Sequence, residues 1–326
     1  MNWNNPFTNK LRVSYPIVLA PMAGVAGGEL AAAVSEAGGL GIVGGGYCDE
    51  KQTTLELRKV SERTAKPWGV GFITWKLCEN PLLLDLALDY NPTVIFLSFG
   101  KFETFAEKIK KAGKILICQV QSVSEAKRAW DVGADVIVAQ GNEAGGHGGN
   151  FMGTMSLVPA IVDAVSPAPV LAAGGITDGR GLAAALMLGA SGVLMGTRFY
   201  AASESLGHPT AKNLISQMTG DKTIRTHVFD IVRGLKWPNS YNARVIQNQF
   251  TDHWHGNEIE LSQAGTVVQK EYFSSVAIGD FSQSAIFAGE GIDLINSVRP
   301  AEEIITKTIL QASSLVQSTS GMLMGT

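Results

Sequence analysis

The chain has 326 residues, of which 45% are hydrophobic and 17% charged, and its formal net charge is −3. That balance supports a large apolar core and excludes a disordered chain or a salt-laced helical rod. With no Lys/Arg cluster interleaved with aromatics, nucleic-acid binding is not expected.

A strand predicted over 17–21 (IVLAP) leads into a helix over 28–37. A second strand over 40–43 is followed by an amphipathic stretch at 53–64, and a third over 69–74 by a helix over 81–89. Strands over 94–99 and 115–120 precede helices over 102–112 and 124–132. Strands over 136–139, 170–173 and 193–195 complete a set of eight. Their apolar character is continuous rather than alternating, as parallel strands covered on both faces require. Eight near-equal strand–helix units favour an α/β fold closed as a (β/α)8 TIM barrel over an open sheet.

The pattern changes after Phe199. Residues 205–280 carry more polar helices, four of the five histidines (His208, His227, His253, His255) and turn signals at 237–239 (WPN) and 255–257 (HGN). They read as an inserted, mainly helical lid subdomain after strand eight. Residues 1–204 and 281–326 then form the barrel, with a C-terminal helix from about residue 300 to 316 docked on it. The N-terminus has no apolar signal region, and no apolar run approaches ~18 uninterrupted residues, so a soluble, cytoplasmic protein with no membrane partner is expected. Cys48, Cys78 and Cys118 are odd in number and lack metal-ligand spacing, which predicts reduced thiols and no metal.

Chemistry on such a barrel sits at the C-terminal strand ends. LAAGGITDGRG after strand seven and LMGTRF after strand eight offer free backbone N–H groups, with a helix N-terminus behind the first. Gly174 and Gly175 can close around a phosphate, and Gly196 and Thr197 can donate from the other side. After strand six, QGNEAGGHGG sets His147 among glycines that let backbone lie against a planar ligand, and an imidazole there suits a base near neutral pH. Pro21–Met22–Ala23–Gly24 after strand one suits such a ligand and close helix packing equally well.

PIVLAPMAGVAGGELAAAVSEAGGLGIVGGG, EAGGHGG, AAGGITDGRG and LMGTRF, in this order, resemble the nitronate monooxygenases, formerly grouped as 2-nitropropane dioxygenases. The resemblance is close over residues 13 to about 200 and looser at AGEGIDLI, 288–295. It implies non-covalent FMN in a barrel, with His147 as the catalytic residue. The implied cofactor contacts are Ala20, Pro21, Met22 and Ala23 at strand one, Gly71 at strand three and Gln119 at strand five. Gln140, Gly145 and Gly146 follow at strand six. Ala173, Gly174 and Gly175 close strand seven, and Met195, Gly196 and Thr197 strand eight. Gly71 stands where relatives often carry Asn, and Gln119 where one carries Lys, so a side-chain contact and a charge near the flavin are expected to differ.

The reaction implied is oxidation of an alkyl nitronate, or of the neutral nitroalkane, by FMN and O₂ to a carbonyl compound and nitrite. His147 would serve as base or as hydrogen-bond partner of the nitro group. The same superfamily holds NAD(P)H-dependent enoyl-acyl-carrier-protein and quinone reductases, so NAD(P)H is the alternative electron donor. A flavin-binding barrel without turnover is the non-enzymatic alternative. Monomer and homodimer are both compatible with the sequence. His253 and His255 make a weak metal pair, Trp254 is expected to anchor the lid on the barrel, and Tyr241, Arg244 and Tyr272 are candidate substrate contacts.

Overall fold

The computed structural model of the chain describes residues 3–324. Eleven strands are formed: β1 (Ile17–Leu19), β2 (Gly41–Gly44), β3 (Trp68–Ile73), β4 (Val94–Ser98), β5 (Ile115–Val120), β6 (Val136–Gln140), β7 (Gly146–Gly148), β8 (Val170–Ala173), β9 (Gly192–Met195), β10 (Thr223–Thr226) and β11 (Asn242–Ile246). Eight of them form one parallel sheet in the order β1-β9-β8-β6-β5-β4-β3-β2. Its two ends meet where Leu19 N donates to Leu40 O at 3.0 Å and Leu40 N to Ile17 O at 2.9 Å, so the sheet closes into the expected barrel.

Side chains alternate across each barrel strand and make two apolar layers. Val18, Ile42, Phe96, Ile117, Val138 and Leu171 fill the barrel, while Ile17, Leu19, Val43, Val70, Leu97 and Val193 pack outward against the helices. An unexpected helix, Pro6–Leu11, plugs the N-terminal end of the barrel with Phe7 and Leu11. Asn5 and Thr8 cap it reciprocally, which explains how so short a helix holds its place.

The C-terminal helix runs over Ala301–Met324, and Ile304, Ile305, Ile309 and Ala312 pack into the outer apolar layer. Gly179, which opens the helix Gly179–Met187, lets it approach: a Cβ there would lie 2.4 Å from Thr308 O and 2.5 Å from Ala312 N. The Gln311 side chain accepts from Gly179 N at 2.8 Å.

The segment between β9 and that helix contains the helices Pro209–Ile215, Val228–Arg233, Gln249–Trp254 and Glu258–Ile278. It also contributes β10 and β11, which the apolar periodicity did not announce. β11 pairs antiparallel with both β10 and β7, so the glycine loop after β6 becomes the third strand of a sheet built largely from the inserted segment. A separate core of Phe229, Val245, Phe250, Leu261 and Tyr272 supports that sheet. Trp254 packs on Phe250 in this core, so it anchors the inserted segment internally and not on the barrel. Among the described residues, no helix is long and apolar enough to cross a membrane, and no group of three or more His, Cys, Asp or Glu could hold a metal.

Candidate active site

A cavity opens at the C-terminal ends of the barrel strands, above the inner apolar layer. Its floor is largely backbone and small side chains: Ala20, Pro21, Met22 and Ala23 after β1, Gly71 on β3, Gly145 and Gly146 at the start of β7, Ala173, Gly174 and Gly175 at the end of β8, and Gly196 and Thr197 after β9. Gly174 and Gly175 have φ of 109° and 70°, a region closed to most side chains. Thr177 continues this loop, and its buried Oγ1 has no hydrogen-bond partner among the described residues.

His147 occupies β7, preceded by Gly146 at φ 71° and paired with Ala243 of β11. Gln140 Nε2 donates to His147 O at 3.0 Å, while Gln140 Oε1 accepts from Gln119 Nε2 at 3.1 Å and Gln121 Nε2 at 2.8 Å. Arg225 and Arg244, opposite each other on β10 and β11, both donate to Asn142 O, at 2.8 and 3.1 Å. The inserted segment thus fixes the histidine loop by its backbone carbonyls. Glu143 is occupied elsewhere in the loop. Its carboxylate accepts from Thr154 N at 2.9 Å, capping the helix Thr154–Val165, whose N-cap Gly153 has no side chain to do so.

The His147 Nε2 lies 2.9 and 3.0 Å from the two carboxylate oxygens of Asp230, which is 3% exposed. A carboxylate only accepts here, so Nε2 carries the proton and Nδ1 keeps its lone pair. Burial holds the imidazole below the usual histidine value, outweighing the opposing pull of Asp230. The ring lies flat on Trp237, with centroids 3.5 Å apart and planes 7° off parallel. Trp237 Nε1 donates to Tyr47 Oη at 3.1 Å. Phe99, held at φ 59°, stands edge-on to both Trp237 and Tyr241, at 5.2 Å from each.

The family model "Nitronate monooxygenase" matches residues 4–82 and 81–311. The chain belongs to the nitronate monooxygenase family. It is similar to a probable nitronate monooxygenase of Staphylococcus haemolyticus, at 35% identity over 77% of this chain and 80% of the relative. Its likeness to a probable nitronate monooxygenase of Staphylococcus aureus is 32%, over 97% of this chain and 99% of the relative. Among solved structures it resembles FabK from Thermotoga maritima (TM-score 0.85, 30% identity, 98% of this chain and 99% of that one). It also resembles a nitroalkane oxidase from Streptomyces ansochromogenes (TM-score 0.83, 25% identity, 97% and 100%). A family member of this kind is an enzyme, a flavin oxidoreductase.

For this nitronate monooxygenase family member, the cavity gathers His147, Gln119, Gln140 and the residues of the floor. Met195 is the exception. The two-residue period of β9 turns it outward to the helices, and Leu194 lines the cavity in its place. At Gly71, a Cβ would meet the Pro21 ring at 2.4 Å, so Pro21 fills the volume that a side chain at 71 would need. Arg244 is engaged in clamping the loop and in an ion pair with Glu290 at 2.7 Å, Tyr272 is buried in the core of the inserted segment, and neither lines the cavity. Asp230, Arg233, Trp237, Tyr47, Thr177 and Phe287 were not singled out from the sequence. Trp237 had shown only as part of a turn, and the helix Val228–Arg233 has too few turns for its polar pair to stand out.

Proposed function

We propose that the chain oxidises alkyl nitronates with bound FMN and O₂, releasing a carbonyl compound and nitrite. The observation that carries this reading is the His147–Asp230 pair, set beside a glycine-floored cavity that suits a flat, phosphate-bearing cofactor. The partnerless hydroxyl of Thr177 and the positive-φ glycines 174 and 175 fit the FMN phosphate. Gly145 and Gly146 fit one side of the ring, with Gln119 and Gln140 at its polar edge.

FMN, when bound, supplies the redox chemistry. The protein's own part is to bind, orient and exclude water. Trp237 and Asp230 hold the imidazole in one plane and one tautomer, and Nδ1 is the atom able to take the α-proton of a neutral nitroalkane. Burial keeps that nitrogen unprotonated at neutral pH. Residues 205–280 act as the lid, since Asp230 and Trp237 complete the pocket from outside the barrel.

The experiment is nitrite release by the purified holoenzyme and by His147→Ala, with a neutral nitroalkane and with its preformed nitronate. The variant keeps its flavin and loses about 10²–10⁴-fold of its turnover of the neutral compound, while the nitronate is affected far less. Equal losses on both substrates would contradict a proton-abstracting role. A nicotinamide-dependent reductase on the same barrel is the competing reading, and the electron donor separates the two.

A further inference from the structure

Arg233 is the one Lys, Arg, Asp or Glu among the residues lining the cavity. It ends the helix Val228–Arg233, one turn beyond Asp230, and Gly234 at φ 68° closes that helix. Its guanidinium carbon lies 5.0 Å from the Tyr47 ring centroid and 5.8 Å from that of Phe287. Among the described residues, no carboxylate comes within ion-pair distance of it, and the Tyr47 hydroxyl is the hydrogen-bonding side chain beside it. Arg225, Arg244 and Arg198, by contrast, are engaged by backbone carbonyls.

Aromatic rings beside a guanidinium stabilise its charge and leave most of its in-plane N–H groups available. Those donors match the paired oxygens of a planar oxyanion. Asp230, one turn away, is hydrogen-bonded to His147 and makes no ion pair with Arg233.

From this geometry we infer that Arg233 is an anion-binding residue for the substrate, taking the paired oxygens of a small planar monoanion such as a nitronate. The nitronate identity rests on the proposed function, whereas the oxyanion site does not. Arg233 then acts as a specificity determinant: it favours the ionised nitronate over the neutral nitroalkane, for which His147 is the relevant group. The aromatic ring wall beside it (Tyr47, Phe99, Trp237, Phe287) suits the apolar part of the same molecule.

The test is calorimetric titration of the flavin-loaded protein with nitrate, a planar oxyanion that the redox chemistry does not consume. Wild type, Arg233→Gln and Arg233→Lys are compared, and the flavin content of each is measured. Wild type binds nitrate, and Arg233→Gln binds it about 10- to 100-fold more weakly, the range expected for a charge-assisted contact. Arg233→Lys, which keeps the charge without the fork, falls between them. All three retain their flavin. In turnover, Arg233→Gln raises KM for the nitronate more than KM for the neutral nitroalkane.

Undiminished nitrate binding in Arg233→Gln would overturn the inference, as would failure of wild type to bind nitrate. Loss of flavin in Arg233→Gln would overturn it too, by giving the arginine to the cofactor phosphate. If Arg233→Gln does not fold, Arg233→Lys decides alone, and nitrate affinity equal to wild type contradicts the assignment. Nitrate binding that depends on Arg233 in a protein without nitronate turnover would sink the monooxygenase reading and leave the anion site standing.

Discussion

Two side chains carry opposite kinds of information about the site. Asp230 has its partner, and Thr177 lacks one among the described residues. A buried hydroxyl without a partner is destabilising until a ligand supplies one. Thr177→Val is therefore expected to stabilise the flavin-free protein by about 1 kcal/mol and weaken FMN binding about tenfold. Urea unfolding and flavin titration measure the two effects, and a loss of stability without a loss of affinity would remove Thr177 from the phosphate site. For Asp230→Asn, the carboxylate that favours the charged imidazole is lost, so the pKa of His147 drops further below its usual value. Turnover of a neutral nitroalkane depends on the unprotonated ring and falls as pH drops through that pKa. The acid limb of the pH–rate profile should thus move to lower pH in the variant. The rate above it should fall about 10²–10⁴-fold, because Asn no longer enforces one tautomer. An unmoved limb would mean that Asp230 only props up the loop. His147 and the glycine floor were legible in the sequence because glycines cluster where backbone must approach a ligand. Asp230 and Arg233 were not, since they lie 83 and 86 positions from His147, and only the pairing of β11 with β7 brings their helix alongside it.

At the scale of elements, the eight barrel strands could be read directly, because each is a short apolar run bounded by turn residues. β7, β10 and β11 could not. Glycine-rich GHG has no strand propensity, and β10 and β11 are only half-buried, so their partner, rather than their composition, makes them strands. The two arginines that fasten the histidine loop give this a measurable form. Arg225→Ala leaves the carbonyl of Asn142 without its shortest donor and weakens the link between β10 and the loop. It is expected to destabilise the fold by about 2–3 kcal/mol and to cut turnover through misplacement of His147. An unchanged urea midpoint would show that Arg244 alone suffices. The 287–291 segment is set in place just as closely. A Cβ on Gly145 would lie 2.5 Å from the backbone of Ala288 and Gly289. Gly145→Ala should therefore displace that segment and lower flavin occupancy in the purified protein, whereas full occupancy would mean that the segment shifts without consequence for the floor.

Over the whole molecule, the cavity is the place where separate cores meet. The barrel supplies its floor, the inserted segment supplies His147's partner and its stacking plate, and the cluster of Val25, Tyr200, Ile246, Ile286 and Ala288 joins the two beneath the rim. A flavin bound there would couple the parts. Free FMN at a hundred times its Kd should stabilise the fold by about 2.7 kcal/mol and raise the melting temperature with flavin concentration. A melting temperature indifferent to FMN would place the cofactor elsewhere. The central claim, that this site takes its electrons from a nitronate, is tested most directly by mixing the flavin-loaded protein anaerobically with an alkyl nitronate, and separately with NADH and NADPH. Rapid bleaching of the flavin by the nitronate, with little change from either nicotinamide, is the predicted result. Fast bleaching by NADH or NADPH and none by the nitronate would contradict it and make the protein a reductase.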